Sequence, residues 1–243
     1  MKYTAMINGL PVEAEYSQDS VESIFLPLLN YLQHLQQEKD RRILVMLSAP
    51  PAAGKSTLAG FLSQLGVPLT VIGMDGFHRR QEYLLTHTVM RDGREVRMVD
   101  IKGAPVTFDL ERLTAFVKRA ADGEKMGWPV YDRMLHNPVD DAVTVDGDIV
   151  LLEGNYLLLD EEGWRDLHQL ADYTISITAD TATLRQRLID RKTASNGLTQ
   201  EKAAAFVDFS DLYNARLCLE KMLPADLQLR MLASGEYIKD DQC

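Results

Sequence analysis

"SAPPAAGKST", residues 48–57, ends in Gly54-Lys55-Ser56-Thr57, the tail of a loop that cradles phosphates. Five residues before Gly54, where that pattern has a glycine, stand Ala49 and then Pro50 and Pro51. In such a loop successive backbone N–H groups point at phosphate oxygens, the lysine bridges the outer oxygens and the next hydroxyl ligates Mg²⁺. Here the donors come from Ala52, Ala53, Gly54, Lys55, Ser56 and Thr57, after the two prolines that lack one, with Lys55 as the bridge and Ser56 as the metal ligand. The first glycine mainly supplies a tight turn, so Ala49 is tolerable provided its φ stays negative. Flanking context supports the loop: "ILVMLSA" before it is an apolar run of buried-strand length, and "STLAGFLSQL" after it is an amphipathic helix.

Working outward, "VPLTVIGMD", "DIVLLEG" and "DYTISITA" are further apolar runs ending in small or acidic residues. Helical stretches such as FDLERLTAFVKRAADG and TATLRQRLIDRK separate them. The expectation is an α/β protein of three layers with a mainly parallel central sheet, all of residues 1–243 in one domain. Residues 1–40 read as a hairpin turning at Asn8-Gly9, then a helix capped at Asp19 or Ser20 with Pro27 in its second turn. That piece reads as packing, not chemistry. Residues 41–220 form the core, and 221–243 hold two short strands that extend the sheet or pair with the N-terminal hairpin.

With 243 residues, 46% of them hydrophobic, the chain can bury a real core. Its net charge of -10 argues against a nucleic-acid or anionic-membrane partner and for a small molecule. Cys218 and Cys243 have no second Cys or His at metal-ligand spacing, which points to a reducing, cytoplasmic setting without structural zinc. No apolar run approaches a membrane span.

Two strand ends carry acids. Glu153 in "VLLEGN" is placed to hold the Mg²⁺ shell or its waters, against the plainer reading of a surface acid. Asp75 in "VIGMDGFH" suits a base that orients an acceptor hydroxyl, or equally a helix N-cap, and Gly76 lets backbone approach a bound molecule. No Asn is followed by Lys, so the guanine-reading segment of GTPase switches is missing.

These stretches, together with "KGAPVTFD" at 102–109, "PVYDR" at 129–133 and "GLTQEKA" to "DLYNARL" at 197–217, resemble in order the uridine kinase/phosphoribulokinase/pantothenate kinase superfamily. Within it the chain is similar to bacterial nucleoside/nucleotide kinase-like proteins often labelled fructose transport system kinases. The resemblance covers about residues 40–220. It implies a P-loop fold with a helical lid and Mg²⁺-dependent transfer from ATP to a hydroxyl of a nucleoside, sugar, pantothenate-like or hydroxy-acid acceptor. Asp75 is then the base or orienting group, Lys55 and Ser56 hold phosphates and metal, Glu153 supports the metal, and Tyr131, Asp132 and Arg133 lie by the acceptor.

Phosphoryl transfer leaves charge on equatorial oxygens that a closing cation meets. Arg187 and Arg191, four apart, share a helical face, whereas Arg185 and Lys192 point elsewhere and read as solvated. Arg191 is favoured because the lid arginine of the resembled family sits just before its Gly-Leu-Thr/Ser segment. Arg133 could grip an anionic group or form an ordinary salt bridge; His78 and His136 could bond an acceptor or lie idle at the surface. Relatives usually carry Arg where this chain has Ile101, and Arg97 or Lys102 could replace it. Two other readings stand beside the kinase: an ATP-binding regulator without transfer, and a nucleoside monophosphate kinase. The hairpin and the C-terminal strands are candidate contacts for a homodimer.

Overall fold

Ile43, Val45 and Leu47 of the strand before the phosphate loop enter one core, and Leu44 and Met46 enter another, so this strand is covered on both faces. The computed structural model describes residues 1–7 and 10–240. Its strands are β1 (Lys2–Ile7), β2 (Leu10–Glu15), β3 (Ile43–Ser48), β4 (Thr70–Gly73), β5 (Thr88–Arg91), β6 (Arg94–Arg97), β7 (Met126–Asp132), β8 (Asn137–Val145), β9 (Ile149–Gly154), β10 (Tyr173–Ala179), β11 (Leu227–Met231) and β12 (Tyr237–Lys239). The central sheet has the order β12-β11-β10-β3-β9-β4 and is parallel except for β12. As expected, the apolar runs are its strands; of the two options for the C-terminal strands, they extend the sheet.

Helices cover both faces, which gives three layers. On one side lie the Lys55–Leu62 helix and the N-terminal helix; on the other lies Leu110–Ala121, capped by Asp109 and burying Leu113 and Val117. The N-terminal helix begins one turn earlier than the sequence suggests, because Ser17 rather than Asp19 or Ser20 is the cap, accepting from the Ser20 N–H at 3.1 Å. Its second turn, Val21–Phe25, is a π turn just before Pro27. A proline ring crowds the carbonyl four residues back, here that of Ser23, and a wider turn relieves the clash. The expected Asn8-Gly9 turn lies outside the described residues; β1 and β2 pair antiparallel.

Two hairpins were not anticipated. β5 and β6 turn at Asp92-Gly93, both at positive φ, and β7 and β8 pair over a long ribbon with a bulge between Trp128 and Val130. The N-terminal segment packs on the phosphate-loop helix through Tyr3, Tyr16 and Phe25, which surround Phe61, with Tyr237 of β12 joining the cluster. Phe25 is fully buried there. Phe25→Ala should therefore destabilise the chain by about 3–5 kcal/mol, read as a shift in the urea unfolding midpoint; a shift below about 1 kcal/mol would mean the N-terminal piece is only loosely attached.

Candidate active site

Because β3, β9 and β4 are parallel neighbours, their carboxyl ends bring three loops to one edge of the sheet. The loop after β3 turns at Pro50, whose carbonyl accepts from the Ala53 N–H at 3.2 Å. Gly54, at φ 80°, then begins the Lys55–Leu62 helix. No side chain caps that helix, so its first N–H groups stay available for an anion. A side chain at Gly54 would collide with the Tyr237 hydroxyl, which donates to the Ala53 carbonyl at 2.9 Å. Ala49 keeps a negative φ, so the missing first glycine costs nothing. The strained position is Ala52, at φ 70°.

Glu153, at the end of β9, is buried and ties the loop down. Ser56 Oγ donates to its Oε1 at 2.7 Å, and Lys55 Nζ lies 3.7 Å from its Oε2. It is not the surface acid of the plainer reading. Burial pushes its carboxyl above the usual range, against the pull of Lys55. Among the described residues no three His, Cys, Asp or Glu side chains form a metal cluster. A Mg²⁺ site built from Ser56, phosphate oxygens and water, with Glu153 behind, fits this donor set, because Mg²⁺ retains several waters and needs few protein ligands.

Asp75 sits in the 3-10 turn Met74–Phe77 after β4 and caps no helix. Its carboxylate makes no hydrogen bond among the described residues. Burial opposes its charge, but His78, Lys55, Arg133 and Arg191 outweigh that and hold its pKa below the usual carboxylate value. The turn is fixed by close packing on β7. A side chain at Gly76 would overlap the Pro129 carbonyl, and Trp128 Nε1 donates to the Gly73 carbonyl at 2.9 Å.

The acceptor-side residues form a chain of contacts leading away from Asp75. His78 Nδ1 lies 2.8 Å from the Asp75 carbonyl, and its ring is 5.0 Å from that of Tyr131 on β7. Burial pushes the His78 imidazole down and the Tyr131 phenol up to about 12. Lys102 Nζ is 4.8 Å from the Tyr131 ring centroid and donates to Gln81 Oε1 at 2.7 Å and the His136 carbonyl at 3.1 Å. His136 thus contributes its backbone, at φ 53°, while its side chain is exposed. Asp132 serves the turn, accepting from Met134 and Leu135. Arg133 is exposed and forms no ion pair among the described residues. Ile101 is buried in the turn Met98–Ile101 and Arg97 is exposed and paired with Asp100, which leaves Lys102 as the cation beside the site.

On the helix Thr181–Asn196, Arg191 is half-buried, whereas Arg187 is exposed and only its guanidinium reaches the phosphate loop. Arg187 Nη1 lies 3.3 Å from Met231 Sδ, beside Gly54, whereas Arg191 is deep enough that burial lowers its pKa, with Asp211, Arg133 and Asp75 acting on its charge. Arg185 is exposed and held by Asp208. Lys192 is not solvated as expected: it is 3.2 Å from Asp211 and 3.7 Å from the Phe206 ring centroid.

Tyr237, Trp128 and Gln81 were not picked out from sequence, and neither were Arg91, Asn155, Ser210 and Asn214. Each of the last four has a buried polar side-chain atom without a hydrogen-bond partner among the described residues. Arg91 touches Tyr213 and Phe209, and Asn214 lies beside Gly103, next to Lys102. Their sequence signal is weak, since each is one polar residue in a segment that reads as helix or loop.

Comparison with known proteins places the chain in a family. Residues 44–220 match the Phosphoribulokinase / Uridine kinase family. The chain is 38% identical over 244 residues to the "Uncharacterized protein YggC" of Escherichia coli (strain K12), with 98% of each covered. It is 30% identical over 226 residues to the "Putative uridine kinase C227.14" of Schizosaccharomyces pombe, covering 88% of this chain and 91% of that one. A crystal structure of a "putative fructose transport system kinase" from Silicibacter sp. TM1040 matches with TM-score 0.72 and 34% identity over 83% of this chain and 98% of its own.

The backbone at Ala52 yields a test. A left-handed conformation costs a residue with a Cβ about 1–2 kcal/mol, which glycine escapes at the expense of unfolded-state entropy. Ala52→Gly should raise stability by roughly 0.5–1 kcal/mol in urea unfolding; a loss of stability would show that the strain is absent.

Proposed function

The chain belongs to the phosphoribulokinase/uridine kinase family, and on that premise we propose that it transfers the γ-phosphoryl group of ATP to a hydroxyl of a small metabolite. One observation carries the reading: Asp75, a carboxylate with no hydrogen-bond partner among the described residues, interacts with the charge of the phosphate-loop lysine from the end of β4, one strand beyond β9. Glu153 is committed to Ser56 and Lys55, so the two acids divide the work. Mg²⁺ held at Ser56 would neutralise charge on the transferring group.

The remaining work belongs to the chain. Backbone N–H groups from Ala52 to Thr57 and the Lys55 ammonium hold the phosphates. Arg187 and Arg191 approach from the lid helix to meet charge on the equatorial oxygens. Asp75 accepts a hydrogen bond from the acceptor hydroxyl and so points its lone pair at phosphorus. With a lowered pKa it is a weak base, which suits a loose transition state in which the hydroxyl proton leaves late. His78 and Tyr131 flank the acceptor. A regulator that only senses ATP has no use for such an acid opposite the phosphates.

Asp75→Asn should cut kcat for acceptor-dependent ADP formation by about 10²–10⁴-fold while ATP affinity stays within a few-fold. Unchanged turnover with ATP still bound would remove Asp75 from the mechanism.

A further inference from the structure

The cations of the site outnumber what the phosphate side uses. Lys55 sits in the loop, and Arg187 and Arg191 descend from the lid. Two more, Lys102 and Arg133, follow the turn Met98–Ile101 and the end of β7, and Arg133 also acts on the charges of Asp75 and Arg191. Neither has a carboxylate partner among the described residues. The nearby acids are already engaged: Asp100 by Arg97, Asp132 by backbone N–H groups of its own turn, and Asp211 by Lys192.

Lys102 is the more telling of the two because it is held in place. Its ammonium is oriented by two neutral acceptors, Gln81 Oε1 and the His136 carbonyl, over the face of Tyr131. An ammonium has three N–H donors, so one remains for a further partner. A half-buried lysine with neutral partners is an unbalanced charge in a chain whose net charge is -10, where carboxylates are plentiful. Tyr131 and His78 link it in unbroken contact to Asp75.

We propose that the phosphoryl acceptor is a small hydroxylated anion, a carboxylate or a phosphate ester, whose charge is bound by Lys102 with Arg133 while Asp75 receives its hydroxyl. This rests on the proposed kinase activity and narrows its substrate class. It sets neutral nucleosides and free sugars aside. Burial pushes the Lys102 ammonium down to about 8, so an arriving anion also secures its proton.

The test is a panel of matched alcohols assayed for ADP release with the full chain and Mg-ATP: glycerol against glycerate and glycerol phosphate, ribose against ribose 5-phosphate, and uridine. The charged member of a series should be preferred, and the two charged arms separate a carboxylate site from a phosphate site. For the preferred acceptor, Lys102→Gln should raise KM at least tenfold with KM for ATP unchanged, and Lys102→Arg should restore most of the loss. Preference for neutral acceptors, or an unchanged KM in Lys102→Gln, overturns the inference and leaves the kinase reading intact. If no acceptor is turned over, the kinase reading itself fails for this panel. Calorimetric binding of the same anions, in wild type and Lys102→Gln with a nonhydrolysable ATP analogue, then decides the anion site: Lys102-dependent binding supports it, and its absence overturns it.

Discussion

The parallel pairing of β3 with β9 fixes how the phosphate loop and Glu153 stand to one another. Its register sets Leu47 opposite Glu153 and Ser48 opposite Gly154, and β9 in turn sets Glu153 opposite Gly73 of β4. Strands buried on both faces accept no charge along their length, so acids are confined to the ends, where the loops open. Glu153 stands between the loop that carries Lys55 and the turn that carries Asp75. A one-residue slip would send its carboxylate to the opposite face and release Ser56. The small residues around it serve the same packing, since a side chain on Gly154 would press on Met74.

That geometry places two carboxylates in one cationic field and gives them opposite characters. Glu153 spends its oxygens on Ser56 and Lys55, and burial raises its pKa. Asp75 spends none, and the surrounding cations lower its pKa. Because the two groups interact, protonation of one favours ionisation of the other. The tethered acid is suited to holding the loop and a metal shell, and the free one to meeting an incoming hydroxyl. Division of labour here follows from hydrogen bonding more than from depth.

The central sheet and both acidic strand ends were legible because a parallel strand covered on two faces must be a continuous apolar run, and its functional residue must sit where that run stops. The β7–β8 ribbon was not legible for the converse reason. It carries Pro129 and Pro138, has a bulge at its middle and shows solvent to much of β8, so no apolar period marks it. β5–β6 did carry a signal, Asp92-Gly93 between alternating residues, of the kind that favours a tight hairpin turn. Doubt about the phosphate loop fell on Ala49, but the strain lies at Ala52, because the pattern of residue types does not report φ. Tyr237 was invisible for a different reason: it reaches Ala53 across 184 positions of chain, and no local pattern encodes such a contact.

The two sides of the site therefore differ in mechanical character. On the phosphate side, Tyr237 holds the loop carbonyl, Tyr16 stacks on Phe61 of the loop's own helix, and Phe25 fills the space among them, so the ends of the chain brace the cradle. On the proposed acceptor side, His78, Lys102 and Tyr131 come from a short turn, another turn and one strand of a ribbon, joined by the contact of Gly76 with Pro129, the Trp128 hydrogen bond and the bonds of Lys102 to Gln81 and His136. A change of residue on the ribbon can alter what the acceptor must look like without moving the cradle. On the proposed reading, phosphate binding and acceptor choice are separable, because among the described residues the aromatic braces of the loop, Tyr237, Tyr16 and Phe25, lie outside the acceptor side.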